Sequence, residues 1–357
     1  MPVIKDYFPG GNTGDGFFSY YDYIIGKDAN RIFLVKGGPG TGKSSLMKNI
    51  GREFYNRGYD LEYHHCSSDN NSIDAVVIPK IKVAMIDATS PHTIAAKNPG
   101  AVDEIINMGD FWDTKKMEDN KKEIISVNEK VSNSFKRGYK YLRAAKNILQ
   151  NVIDLNSSFM DFGKINLETN QFISELFMGQ TYSDKRGNER HLFGSSYTPE
   201  GFVNYTESVL SNAINIYSIS GDPGTGKTTL FKRIYKSAIE RGLDVEILHT
   251  PLIPQKIETI YIKDIKVGIT INGKFKDKQK TLNLNDYRNQ NLYSMYKEIM
   301  DEDQKMANML IDKGIDNIRN AKSLHDELEK YYVENIDFEK VDEFKNILIN
   351  RILQYTK

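Results

Sequence analysis

Gly37-Gly38-Pro39-Gly40-Thr41-Gly42-Lys43-Ser44 has a second version in the same chain, Gly221-Asp222-Pro223-Gly224-Thr225-Gly226-Lys227-Thr228. Both fit G-x-x-x-x-G-K-[ST], and each lies between an apolar run and an amphipathic segment. In that context the glycines let successive backbone N–H groups turn toward phosphate oxygens at a helix N-terminus. The lysine adds a point charge, and the Ser or Thr hydroxyl can reach Mg²⁺.

Outward from the first loop, Arg31 to Lys36 predicts a buried strand that enters it. Leu46, Ile50 and Phe54, spaced by four, predict a helix that leaves it and stops at Arg57-Gly58. Further strands are expected from Asp60 to Cys66, Ala75 to Ile78 and Lys82 to Ile86. Tyr7 to Gly16 reads as a glycine-rich loop, Phe17 to Ile25 as a helix, and Ala101 to Met108 as a short helix ended by Gly109. From Met117 the spacing of Ile124, Val127, Val131, Phe135, Leu142, Ala145 and Leu149 predicts a long helical arm, interrupted only at Gly138.

The second half replays the first. Phe8, Thr13, Gly16, Phe17 and Tyr20 return as Phe193, Thr198, Gly201, Phe202 and Tyr205 at an offset of 185. From the loop onward the offset is 184, pairing Leu46 with Leu230, Ile50 with Ile234, His65 with His249 and Ile78 with Ile262. In the arms it is 176, pairing Gly138, Arg143, Ala145 and Asp161 with Gly314, Arg319, Ala321 and Asp337. Matches in this order imply a tandem duplication of one α/β unit with a helical appendage. The polar stretch from Tyr182 to Arg190 places the boundary, giving units 1–186 and 187–357 with arms over about 117–180 and 284–357. A fifth parallel strand is not legible in either unit.

The copies differ where a metal-binding carboxylate belongs. Asp87 ends the run Val83-Ala84-Met85-Ile86, while its counterpart is Ile271, followed by an Asn272-Gly273 turn that predicts a hairpin into Lys274-Phe275-Lys276. Ser44 and Asp87 are therefore expected to hold Mg²⁺, with Thr228 a third candidate, a hydroxyl that lacks an acidic partner. Ala88 follows Asp87 where a glutamate often positions the attacking water, so Glu104 is taken as the catalytic carboxylate, with Asp103 and His92 as alternatives. His65 and His249 could contact a nucleotide, the Thr13 and Thr198 loops could close over one, and Arg143 and Arg319 could act across the halves. Solvated helix-face charge explains the two arginines more simply, and an exposed edge explains the lysines at 274, 276, 278 and 280.

Lysine plus arginine equals aspartate plus glutamate at 48 each, so no global basic field argues for nucleic acid. The single cysteine, Cys66, excludes an internal disulfide, and six scattered histidines argue against a histidine metal cluster. No apolar leader or membrane span is legible, and a cytoplasmic setting is expected.

The arrangement resembles a bacterial family of tandem P-loop ATPases. The likeness rests on both loops, on Gly10-Gly11-Asn12-Thr13 with Gly16-Phe17, on Asp87-Ala88-Thr89-Ser90-Pro91-His92, and on Pro99-Gly100-Ala101-Val102-Asp103-Glu104-Ile105-Ile106-Asn107 with Gly109. It implies an α/β fold of two tandem P-loop NTPase domains, each a parallel sheet flanked by helices with a helical appendage. It implies ATP or another nucleoside triphosphate, with Mg²⁺, as ligands. The nucleotide ligands would be Gly38, Pro39, Gly40, Thr41, Gly42, Lys43, Ser44 and Ser45, and in the second copy Asp222, Pro223, Gly224, Thr225, Gly226, Lys227, Thr228 and Thr229. Lys43 and Asp87 would carry hydrolysis in the first half, leaving the second to bind nucleotide or regulate. A small-molecule or nucleotide kinase and a non-catalytic ATP-dependent switch or scaffold stay open.

Overall fold

The computed structural model describes residues 2–89, 94–273, 275 and 281–356. Its first half contains β1 (Ile4–Tyr7), β2 (Gly10–Thr13), β3 (Gly16–Ser19), β4 (Arg31–Lys36), α1 (Lys43–Asn56), β5 (Leu61–Cys66), β6 (Asp69–Ile78), β7 (Val83–Asp87) and β8 (Asp103–Asn107). Then come α2 (Thr114–Asp119), α3 (Lys121–Ser157) and α4 (Phe162–Leu176). The second half contains β9 (Glu189–Phe193), β10 (Ser195–Thr198), β11 (Gly201–Asn204), α5 (Thr206–Val209), β12 (Asn215–Ser220), α6 (Lys227–Ile239), β13 (Val245–His249), β14 (Ile257–Ile262), β15 (Val267–Thr270) and β16 (Thr281–Asn283). It ends with α7 (Gln290–Val333) and α8 (Phe338–Leu353).

Two mixed sheets of six strands result, in the orders β1-β5-β6-β7-β4-β8 and β16-β12-β15-β14-β13-β9. They are the same arrangement strand for strand. The outer pairings run parallel, and only β6 and β14 oppose their neighbours.

Three expectations change. Gly16–Ser19 is a strand, not the start of a helix: it pairs antiparallel with Gly10–Thr13 around a tight turn in which Gly16 has φ +96°. Asp103–Asn107 is a strand beside β4, with Ile106 buried and Ile105 exposed in the two-residue period of an edge. Ile271 to Gly273 are not strand, and the next described strand, β16, runs parallel to β12. The expected return strand falls partly on Lys274 and Lys276, which lie outside the described residues, as do His92, Lys278 and Lys280. Strands β1 and β8 supply the parallel partners that the sequence did not disclose.

The arms determine how the halves fit together. Val127 and Val131 of α3 pack with Ala321 and Leu328 of α7, and Val152 packs with Met300, so the two helices run antiparallel. They cross at Gly138 and Gly314, where a Cβ on Gly138 would stand 3.2 Å from the Gly314 carbonyl oxygen. The helices beyond them are exchanged. Val341, Leu348 and Ile352 of α8 lie in the core of the first sheet with Leu46, Ile50 and Phe54, while Ile165 of α4 lies with Ile219, Phe231 and Ile234 in the core of the second. Leu348→Ala is expected to cost about 2–5 kcal/mol, the range for emptying a buried leucine site. Hydrogen exchange should rise in α1 and β6, although Leu348 belongs to the other half of the chain; a rise confined to α6 and β14 would contradict the exchange.

The seam between the sheets is polar and paired. Phe8 and Phe193, equivalent residues, exchange backbone hydrogen bonds of 2.9 and 3.0 Å. Beside them the Arg190 guanidinium donates to Glu62 (2.6 and 2.9 Å) and to Glu246 (3.1 Å), again equivalent residues, and to the carbonyls of Tyr23 and Ile24.

Candidate functional site

Each glycine-rich loop joins the end of a strand to the first turn of a helix, with Gly42 and Gly226 left-handed at φ +82° and +92°. Side chains with a Cβ rarely take that conformation, so glycine is required there. The Lys43 ammonium curls back to donate to the carbonyls of Gly37 (2.9 Å) and Gly38 (2.7 Å), and Lys227 repeats this with Gly221 and Asp222. Thr41 and Thr225 brace the loops through hydroxyl donation to Gly38 and Asp222. The expected loop residues thus fold into two cradles of one shape.

Their surroundings differ. In the first half Asp87 ends β7 with a carboxylate oxygen 3.6 Å from the Lys43 ammonium. Its other oxygen accepts from the Thr89 backbone N–H, and the Thr89 hydroxyl donates to Gly37, tying the strand end to the loop. Ser44 follows Lys43, its oxygen accepting from the Ile73 N–H at 3.0 Å. A hydroxyl and a carboxylate flanking the lysine are donors that suit Mg²⁺, which takes one or two protein oxygens and completes its shell with phosphate and water. In the second half the strand next to β12 ends at Thr270, and Ile271 follows. The Thr228 hydroxyl there has no equivalent of Asp87.

Glu104 is not at the loop. It pairs in register with Phe33, three residues before the end of β4, and its carboxylate is bound by Arg351 of α8. Position and partner both set it apart from the loop, and Asp103 starts the same strand. His65 and His249 lie in the seam: His65 meets Asp6 at 2.8 Å, and His249 meets His191 at 2.8 Å, with burial and then His191 pushing its pKa down to about 3. Thr13 and Thr198 close their own hairpin turns by donating to Gly16 and Gly201, and Arg319 donates to Pro199 at one of those turns.

What covers each cradle is the corner of the opposite arm. The Tyr332 ring lies on Gly38, Glu329 and Val333 lie on Gly40, and Phe338 lies near Gly42. In the second half Ile153 and Ser157 lie on Gly224 and Phe162 on Gly226, with Asn156 and Ser157 donating to Pro223 and Gly224. This brings in Glu329, a carboxylate the sequence reading missed. Its Cβ is 3.2 Å from where a Cβ on Gly40 would stand. His325 chiefly holds its carboxyl below the usual range, with Lys322 and Lys43 adding to the effect. The 176-residue register carries a signal, because it pairs Glu329 with Ile153 just as Asp87 is paired with Ile271. His325, Asp326 and Glu329 also bring ligand atoms within 4.8 Å of one another, so one histidine does join an acidic group.

Two further contrasts follow the same division. A cleft beside the first turn of α1, lined by Ser45, Asn49, Phe338 and Asp342, is open in the first half. Its counterpart is bridged by Arg233, at the position of Asn49, which donates to Asn166 and Asn170. Burial, partly offset by Asp222 and reinforced by Lys256, lowers the Lys227 ammonium to about 8.

No helix among the described residues is long and apolar enough to cross a membrane. No protein-family profile, no curated protein and no solved structure matches the chain.

Proposed function

We propose that the protein is a P-loop NTPase with two nucleotide sites of unequal chemistry, and that the first binds ATP with Mg²⁺ and hydrolyses it. The observation that carries this reading is Asp87 standing 3.6 Å from Lys43 at the mouth of the first loop, with Ser44 next to that lysine. Mg²⁺, where bound, would neutralise charge on the β- and γ-phosphates. Ser44 and Asp87 would hold it. The loop amides and Lys43 stabilise charge developing on the transferred phosphoryl group, an electrostatic contribution made before the reaction begins. Glu329, carried onto Gly40 by α7, takes the place assigned in sequence to Glu104 and orients the water. The cleft between α1 and Phe338 accepts the nucleoside.

The test is nucleotide stoichiometry and phosphate release for the parent, Lys43→Ala and Lys227→Ala. Two bound nucleotides are expected for the parent and one for each variant, with release lost only in Lys43→Ala. Release that survives Lys43→Ala and vanishes in Lys227→Ala would reverse the assignment. Absence of nucleotide from all three proteins would end it.

A further inference from the structure

Three register-matched differences around the two loops point the same way. Asp87 becomes Ile271, Glu329 becomes Ile153, and Ser72, within β6 and next to the Ile73 N–H that donates to Ser44, becomes Lys256. Asp87 beside Lys43 and Glu329 over Gly40 are therefore both replaced by hydrocarbon, and a hydroxyl by an ammonium.

The fold keeps these positions equivalent. Ile153 lies on Gly224 as Glu329 lies on Gly40. His65 pairs with Ile73 in β5 and β6 as His249 pairs with Ile257 in β13 and β14, so Ser72, within β6, and Lys256, immediately before β14, stand at the same step from equivalent strand pairs. The Thr250 N–H donates to the Lys256 carbonyl at 3.0 Å, and the Ile271 N–H to the Glu258 carbonyl at 2.9 Å, which holds the root of Lys256 at the end of the sheet from which the second loop emerges. Lys256 is also one of the charges acting on the Lys227 ammonium.

The nearby acids do not stand in for Asp87 and Glu329, although Asp222 acts on the Lys227 ammonium. Asp222, the loop's own carboxylate, is taken by Arg288 at 2.7 Å. Asp154 of α3 acts on Lys256 from an exposed position and accepts from Gln150. Mg²⁺ sites rely on one or two carboxylates together with substrate phosphates. A site with two ammoniums and isoleucines in place of both carboxylates repels a divalent cation yet attracts a polyphosphate.

We propose that the second loop is a metal-independent polyphosphate site, in which Lys256 supplies beside Lys227 the positive charge that Mg²⁺ supplies at the first loop. It retains a nucleoside triphosphate without turning it over. The ligand occupies the same cradle geometry, but a fixed side-chain cation replaces an exchangeable one. This inference rests on the nucleotide reading of both loops.

The experiment uses the full chain carrying Lys43→Ala, so that binding reports the second loop, with ATP as the probe in Mg²⁺ and in excess chelator. The ATP dissociation constant is expected to agree within about threefold between the two conditions. Adding Lys256→Ser, which installs the residue of the first half at a partly exposed position, should weaken binding in chelator at least about tenfold, the scale of losing one charge-assisted contact. Unchanged thermal melting of that variant would separate lost binding from lost fold. Adding Ile271→Asp should instead make binding depend on Mg²⁺. Loss of ATP from the Lys43→Ala protein on chelation, or unchanged affinity in chelator after Lys256→Ser, would overturn the inference and leave the nucleotide reading standing. Failure of the parent to bind ATP at all would remove both.

Discussion

Asp87→Asn is expected to lower phosphate release by about 10²–10³-fold, the scale seen when one preorganised charge-stabilising group is removed from a reaction centre. The substitution keeps the shape and most of the hydrogen-bonding capacity of the side chain, so Thr89 keeps its acceptor. What disappears is the negative charge beside Lys43, and with it the acidic donor for Mg²⁺. The loss should therefore appear in the catalytic rate and in the concentration of Mg²⁺ needed for half-maximal rate. ATP bound by the second loop should be unaffected, because Ile271 already occupies that place. Glu329→Gln is the companion variant, expected to lower the rate by about 10²-fold or more, as for loss of a general base, with Mg²⁺ dependence unchanged. Phosphate release by Asp87→Asn within threefold of the parent would take this carboxylate out of the chemistry.

Arg190→Met is expected to destabilise the protein by about 3–5 kcal/mol, the cost of breaking a buried ion pair from one side. Arg190 is the cation shared by Glu62 and Glu246, which are 7% and 1% exposed. Without it Glu246 keeps Lys5 and Lys263, whereas among the described residues Glu62 keeps only His64 at 3.7 Å. Burial opposes ionisation of both carboxyls, and the surrounding cations outweigh it. Lys263, Lys5 and Arg190 hold Glu246 at about 2 against an ordinary 4.5, and Arg190 leads in holding Glu62 well below the usual range. Groups with depressed folded-state pKa values contribute stability that is complete above the unfolded value and is lost as the pH falls through the folded one. The parent should thus lose this contribution between about pH 4.5 and 2, while the variant is already weakened at pH 7 and loses less on acidification. Urea denaturation of both proteins across that range measures it. A difference below about 1 kcal/mol at pH 7 would show that the pair contributes little to the seam.

Much of this protein was legible in its sequence because the informative features are local. The two loops, the strand before each, the helix after each, the long arm and the contrast of Asp87 with Ile271 depend on spacing within one copy or on register between copies. The edge strands were not legible. Ile4–Tyr7 and Asp103–Asn107 are short and half polar, so neither the alternation nor the apolar run that marks a strand is long enough to stand out, and their conformation comes from the hydrogen-bonding edges of β5 and β4. The aromatic run at Phe17 and its neighbours does not distinguish strand from helix, because aromatic residues pack in either state. The Gly16 turn and the pairing with Gly10–Thr13 decide the matter.

The sequence by itself determined that two glycine-rich strand–loop–helix turns of one pattern exist and that only the first is followed by a strand-end carboxylate. The tertiary structure alone decided what surrounds them. An amphipathic helix specifies that one face must be buried, but not whose surface buries it, and here α4 and α8 are buried by the sheets of the opposite halves. That exchange carries Glu329 onto Gly40 and Ile153 onto Gly224, and it leaves Glu104, promising in sequence, bound by Arg351 away from the loop. The first loop is thus covered by a residue nearly 300 positions away, Glu329, brought there by the antiparallel crossing at Gly138 and Gly314.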